Sequence, residues 1–228
     1  MKKAKRLAAA ALMIVIITSL SACKGFESSG EKMHGKLEKV VELEKEFEDQ
    51  QDPLVKLEKS EQEIYANIIS LGLEKMDEIK SLSDEALASV AKREEYMNKE
   101  EESIQKSKEA FKKVKPIIED MDEDEKDLKA KAEELYNVMI DRYEVHDQLY
   151  ANYTTGLKYD KELYEMFKDK DVKIDALEEQ INKINEVYQK VLANNEEFNK
   201  LTKQYNEQKL DFYKKAGVEI KVEETQNK

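Results

Sequence analysis

The chain is expected to fold as an all-α, elongated four-helix up-and-down bundle with coiled-coil-like packing, and three observations carry that expectation. Of its 228 residues, 39% are charged, only six are Gly and two are Pro. That balance suits long helices and supplies few of the turn residues a β-domain needs. Apolar residues recur three and four apart through four long stretches, the period of a helix face buried against other helices. The breaks between the stretches are short, which makes neighbouring helices antiparallel.

An N-terminal segment precedes the bundle. Lys2, Lys3, Lys5 and Arg6 stand before an acid-free apolar run from Leu7 to Leu20, and Leu20-Ser21-Ala22-Cys23 closes it. These are the n-region and h-region of a secretory signal, too short to serve comfortably as a membrane span. The small Ser-Ala pair before a cysteine is a lipobox, in which the thiol carries a diacylglyceryl thioether. Residues 1–22 are therefore read as a lipoprotein signal peptide that is removed. Cys23 becomes the lipidated terminus on the extracytoplasmic face of the cell membrane, with fatty acids such as palmitate as its acyl chains. Cys23 is the only cysteine, so no disulfide framework exists. Removing four basic residues takes the formal charge from −12 to −16, which argues against nucleic acid as a partner.

Residues 23–31 read as a flexible tether rich in Gly and Ser, 32–216 as the bundle, and 217–228 as a flexible tail. The first helical pattern runs through Met33, Leu37, Val40, Phe47, Leu54, Ile64, Ile68 and Leu71. A kink or break is expected at Asp52-Pro53, because proline removes a backbone donor and disfavours helical geometry in the residue before it. Ser81-Leu82-Ser83-Asp84 offers turn and N-cap chemistry ahead of a second pattern of Leu87, Val90, Met97, Ile104 and Phe111. Its other heptad positions are Glu94, Glu101, Lys108 and Lys115, which makes its buried stripe narrow. Pro116 bends or ends that helix, and the acidic run from Glu119 to Asp127 makes the next connection.

A third pattern spans Leu128 to Phe167, and Asp169-Lys170-Asp171 separates it from the fourth. The fourth is the most regular, from Ile174, Leu177, Ile181 and Ile184 through Tyr188, Val191, Phe198 and Tyr205 to Phe212, alternating three and four apart. Asn195, Thr202 and Lys209 share the stripe, so packing is expected to loosen towards Gly217, a natural helix stop. With four passes, the N-terminal anchor, the Pro116 turn and the C-terminus share one end.

The lipobox, the Gln50-Gln51-Asp52-Pro53-Leu54 segment, Glu63-Ile64-Tyr65 and the tyrosine-rich third helix together resemble the YkyA family of cell-wall-binding lipoproteins from Gram-positive bacteria. The resemblance covers nearly the whole chain after Cys23. It implies a four-helix bundle outside the cytoplasmic membrane with no established enzymatic activity, and it assigns no site beyond Cys23.

A di-metal bundle site needs paired Glu-x-x-His motifs, yet Glu31-Lys32-Met33-His34 supplies only one, and His146 has Tyr143 where the glutamate belongs. No metal or other cofactor is expected, and His146 reads as an interior residue. Asp120, Asp122 and Asp124 imitate a calcium loop, but Glu125 and Lys131 stand where it needs Gly and Glu. With two histidines in unrelated settings and no Gly-framed serine, no catalytic triad assembles, and the chain reads as non-catalytic.

Two candidate envelope-binding groups remain. Tyr136, Tyr143, Tyr150 and Tyr164 share one heptad phase; an exposed row of rings would stack on a glycan strand, whereas a buried row would serve the bundle boundary. Lys106, Lys108, Lys112, Lys113 and Lys115, opposed by Glu109, form a basic patch in an acidic protein. The function expected is therefore a membrane-anchored lipoprotein that binds peptidoglycan or teichoic acid. The alternative is a helical scaffold or accessory subunit that binds a protein of a membrane complex.

Overall fold

Ser28 begins the helical chain. Its hydroxyl accepts the Glu31 amide at 3.2 Å while the Glu31 carboxylate accepts the Ser28 amide at 2.9 Å, a reciprocal capping box that satisfies two otherwise orphaned donors. In this computed structural model, which describes residues 27–219, the helix they start is α1, Ser29–Leu43. Helix formation thus begins slightly before the apolar pattern does. The signal segment and Cys23 lie outside the described residues.

Helix α2, Lys45–Ser70, follows with only Glu44 between. The break expected at Asp52-Pro53 is therefore displaced: Pro53 sits within α2, where the loss of one backbone bond is tolerated. The second expected turn also moves. The chain reverses at Leu71–Gly72 and a 3₁₀ turn, Leu73–Lys75, and α3 then runs Met76–Phe111 with Ser81–Asp84 inside it. Asp77 and Glu78 in its first turn favour that start through the helix dipole, and Ile79 is already buried.

Helix α4, Val114–Glu119, carries Pro116 in its first turn, where its missing N–H removes no helical bond. The acidic connection includes a 3₁₀ turn, Glu123–Glu125, before α5, Lys126–Phe167. Helix α6, Ile174–Ala216, begins just beyond the expected break. It ends at Gly217, whose φ of +69° is open to glycine at little cost.

The helices pack as the expected four-helix bundle, in two units. Among the described residues, the first unit takes residues 27–45, 104–144 and 198–219. Phe111 anchors its core, stacked on Tyr136 with centroids 5.2 Å apart and edge-on to Tyr143 and Tyr205. Gly30 lets α1 meet the end of α6, since a Cβ there would lie 2.7 Å from the Cβ of Ala216.

The second unit comprises residues 46–103 and 145–197. Its core gathers Leu54, Ile64 and Ile68 of α2, Ala86, Val90 and Met97 of α3, Leu149, Leu157 and Phe167 of α5, and Val191 of α6. The expected loosening of α6 towards its C-terminus does not occur. Thr202, Lys209, Phe212 and Tyr213 are buried, whereas Ile174 at the other end is 71% exposed. Polar residues in that stripe are paired, as described next.

Candidate functional site

Heptad positions in α3 and α5 that face the core carry charge, and they organise the interior into polar layers. In the first unit Arg142 is fully buried. It donates two bonds to the Glu44 carboxylate at 2.8 and 2.9 Å, and its Nε donates to Thr202 at 2.8 Å. Ser107 donates to the same carboxylate at 2.7 Å and lies 2.6 Å from the Tyr143 hydroxyl. Burial alone would lower the Arg142 pKa, but Glu44 raises it, so the guanidinium is charged. Nearby, burial depresses Lys209, whose ammonium lies 3.7 Å from Glu38.

The second unit holds a corresponding layer. Arg93 of α3 donates to Glu61 of α2 at 2.7 Å, to Asp160 of α5 at 3.2 Å, to the Tyr153 hydroxyl at 3.0 Å and to the Tyr188 hydroxyl of α6 at 2.7 Å. Tyr188 in turn donates to Asp160. Gly156 admits it, because a Cβ there would lie 2.9 Å from the Tyr188 ring. Burial raises the pKa of Glu61 and of Asp160 in spite of Arg93, as expected for two desolvated carboxylates sharing one guanidinium.

The next charged layer of that unit surrounds His146, which is fully buried as expected of an interior histidine. Its Nδ1 lies 3.4 Å from Glu101 Oε2 and its Nε2 lies 3.7 Å from Glu100 Oε1. Burial would lower the imidazole pKa, but the two glutamates raise it above the ordinary value. The Phe47 ring meets it edge-on at 5.8 Å.

The tyrosine row does not form an exposed edge. Tyr143 and Tyr164 are buried, with Tyr164 donating to Glu61 at 3.3 Å. Tyr136 and Tyr150 are half-buried, the latter donating to Asn98 at 2.7 Å. A glycan cannot stack along all four rings. Their heptad phase is the core phase of α5, and the core wins because a buried ring contributes more than an exposed one.

Lysines 106, 112, 113 and 115 are exposed and Lys108 is half-exposed, with Lys112 paired to Glu109. Within the same unit, Ser29 donates to Glu125 at 2.8 Å and Lys215 pairs with Asp127 at 3.1 Å. The start of α1, the acidic connection and the end of α6 therefore lie together, as the helix count predicts. Asp120, Asp122 and Asp124 are exposed in that connection. Among the described residues no helix is long and apolar enough to cross a membrane, and no catalytic constellation is evident.

Residues 28–215 match the profile of the YkyA family, described as "Putative cell-wall binding lipoprotein". The "Uncharacterized lipoprotein YkyA" of Bacillus subtilis is 36% identical over 202 residues, 89% of each chain. A crystal structure of a conserved protein of unknown function from Staphylococcus aureus shares the fold at a TM-score of 0.69 and 16% identity. It matches 81% of this chain and 95% of that one.

Proposed function

This chain belongs to the YkyA family, and we propose that it is a non-catalytic lipoprotein tethered through Cys23 to the outer face of the cell membrane, where Lys106, Lys108, Lys112, Lys113 and Lys115 hold its anchored end against anionic envelope polymer. The family description supports envelope association. The observation that carries the lysine assignment is the exposure of four of the five, with Lys108 half-exposed, in the unit where the start of α1 meets the end of α6. The thioether lipid would leave that end facing the bilayer and the teichoic-acid phosphates around it. Each lysine near such a surface contributes about 1 kcal/mol. The acidic connection opposes the approach, so attraction is expected only where salt is low enough to leave the lysines unscreened.

The test is binding of the protein to purified teichoic acid and to anionic liposomes across a salt series. Wild type is expected to bind at low salt and release as salt rises, with a variant carrying Gln at all five lysines binding at least several-fold more weakly. Salt-insensitive binding, or equal binding by the five-Gln variant, refutes the assignment. A second reading, a scaffold for a membrane protein complex, is supported by Leu192, which is 50% exposed beside a shallow depression lined by Asn182, Asn185, Tyr188 and Gln189. It predicts a co-purifying protein in place of saturable polymer binding.

A further inference from the structure

We propose that Glu101, His146 and Asp147 form a binding site for a first-row divalent cation, with Zn(II) the ion that fits best, and that Glu100 is the carboxylate that orients the imidazole from behind. Each of the three offers a ligand atom, and these atoms lie within 4.8 Å of one another. The closest pair, His146 Nδ1 and Glu101 Oε2 at 3.4 Å, is separated by the edge of a tetrahedron whose metal bonds are about 2.0–2.1 Å. The opposite ring nitrogen faces Glu100 Oε1 at 3.7 Å. A proton held on Nε2 towards Glu100 leaves the Nδ1 lone pair facing the other two carboxylates, which is the carboxylate–histidine–metal arrangement.

An independent observation points the same way. The Glu100 side chain is only 3% exposed, and its Oε2 makes no hydrogen bond of good geometry although the Gln51 side chain lies against the carboxylate. A buried carboxylate with an unsatisfied oxygen is costly unless positive charge is nearby. Three carboxylates converge on one imidazole here, and a dication bound at Nδ1 would supply that charge through the ring. The site is also accessible, since Glu101 and Asp147 are partly exposed while His146 is fully buried. An ion can thus arrive from solvent and keep water in the remaining coordination position. A nitrogen ligand beside two carboxylates favours Zn(II) over Ca(II) or Mg(II), which prefer oxygen alone. The ligands come from α3 and α5, so the sequence spacing of Glu-x-x-His motifs could not reveal them.

The test is Zn(II) titration, by calorimetry and by thermal unfolding, of the full lipidated chain purified in detergent and stripped with chelator. One Zn(II) per chain is expected, with a raised unfolding midpoint and no competition from excess Ca(II) or Mg(II). E101Q and D147N alter only the partly exposed rim, so both should fold, and each should weaken binding at least tenfold; H146Q should abolish it. C23S should bind as wild type does. The proposal is overturned by the absence of saturable Zn(II) binding, by rim variants that bind as tightly as wild type, by equal competition from Ca(II), or by loss of binding in C23S, which would assign the ion to the N-terminal segment around residue 23.

Discussion

Truncating Glu44 to Ala tests the view that the buried ion pair of the first unit is held by geometry rather than by bulk charge. The Arg142 and Glu44 side chains are 1% and 4% exposed, so the guanidinium cannot turn to solvent when its partner is lost. Both bonds to the carboxylate disappear, leaving Thr202 on Nε, the weak acceptor Met139 Sδ at 3.7 Å and the Phe198 ring. Leaving one charge of a buried pair uncompensated costs about 3–5 kcal/mol. At roughly 2–4 °C per kcal/mol for a protein of this size, the unfolding midpoint should fall by about 10 °C. Ser107 also loses its bond to that carboxylate and keeps Tyr143 as its partner.

The double variant E44L/R142M makes the argument sharper. Replacing both charges with apolar side chains of similar volume removes the desolvation of the pair together with its attraction, an exchange that is often neutral or stabilising by about 1–4 kcal/mol. The double variant should therefore be more stable than E44A, and a cycle with the single variants E44L and R142M should show a coupling of about 2–4 kcal/mol. Urea unfolding followed by circular dichroism measures all of these chains. The reasoning fails if E44A costs less than about 1 kcal/mol, or if the cost of the double variant equals the sum of its parts.

Two further outcomes are expected. Cys23→Ser should abolish metabolic labelling with a fatty acid and release the protein from membranes, since stable anchoring needs more than one acyl chain; undiminished labelling would refute the lipid assignment. Glu61 and Asp160 have raised pKa values in the folded state, so the native protein keeps their protons to higher pH than the unfolded chain does. The resulting stability is fully present below the unfolded carboxylate range near about pH 4 and is lost as pH rises through the folded values. D160N should flatten that part of the stability–pH curve, measured by thermal unfolding, and an unchanged slope would count against the buried cluster as its source.

The number of helical passes, the ends of α6 and the break before it are legible in the sequence, because an uninterrupted apolar period and a terminal glycine are local signals. The polar layers are not. In α3 the core positions between Val90, Met97, Ile104 and Phe111 are Arg93, Glu100 and Ser107, whereas hydropathy alone selects Leu87 and then Glu94, Glu101 and Lys108 one residue later. Arg93 and Glu100 look like surface residues until their partners are known, and those partners come from other helices. Their seven-residue spacing, in register with the apolar positions, is the signal available in the chain. The same blindness explains the expected loosening of α6: Thr202 and Lys209 are polar but have Arg142 and Glu38 to meet. The misplaced turn has a different cause. Ser81–Asp84 carries N-cap chemistry, yet Ser83 is small enough to be fully buried inside a helix, while the break at Gly72 offers only one glycine as a cue.

The buried layers also have a consequence for how the helices find one another. A stripe of Leu, Ile, Val and Phe at heptad spacing packs nearly as well after a slip of seven residues, because one apolar layer replaces another. An arginine layer does not slip so cheaply. Arg93 requires Glu61 of α2, Asp160 of α5 and Tyr188 of α6, one group from every other helix of its unit. The Arg142 layer likewise joins Glu44, Ser107 and Thr202 from separate segments. Sliding any helix by a heptad strands a buried charge at about 3–5 kcal/mol, comparable to a large part of a typical protein's net stability. The pairs thus contribute little to stability over apolar side chains but penalise the wrong registers heavily. E44L/R142M separates the two roles: it should stay as stable as wild type, or become more so, while its amide spectrum shows more than one set of resonances for α1, a helix that the Arg93 layer does not hold. A single sharp set would mean that the aromatic packing around Phe111 already fixes the register without the charges.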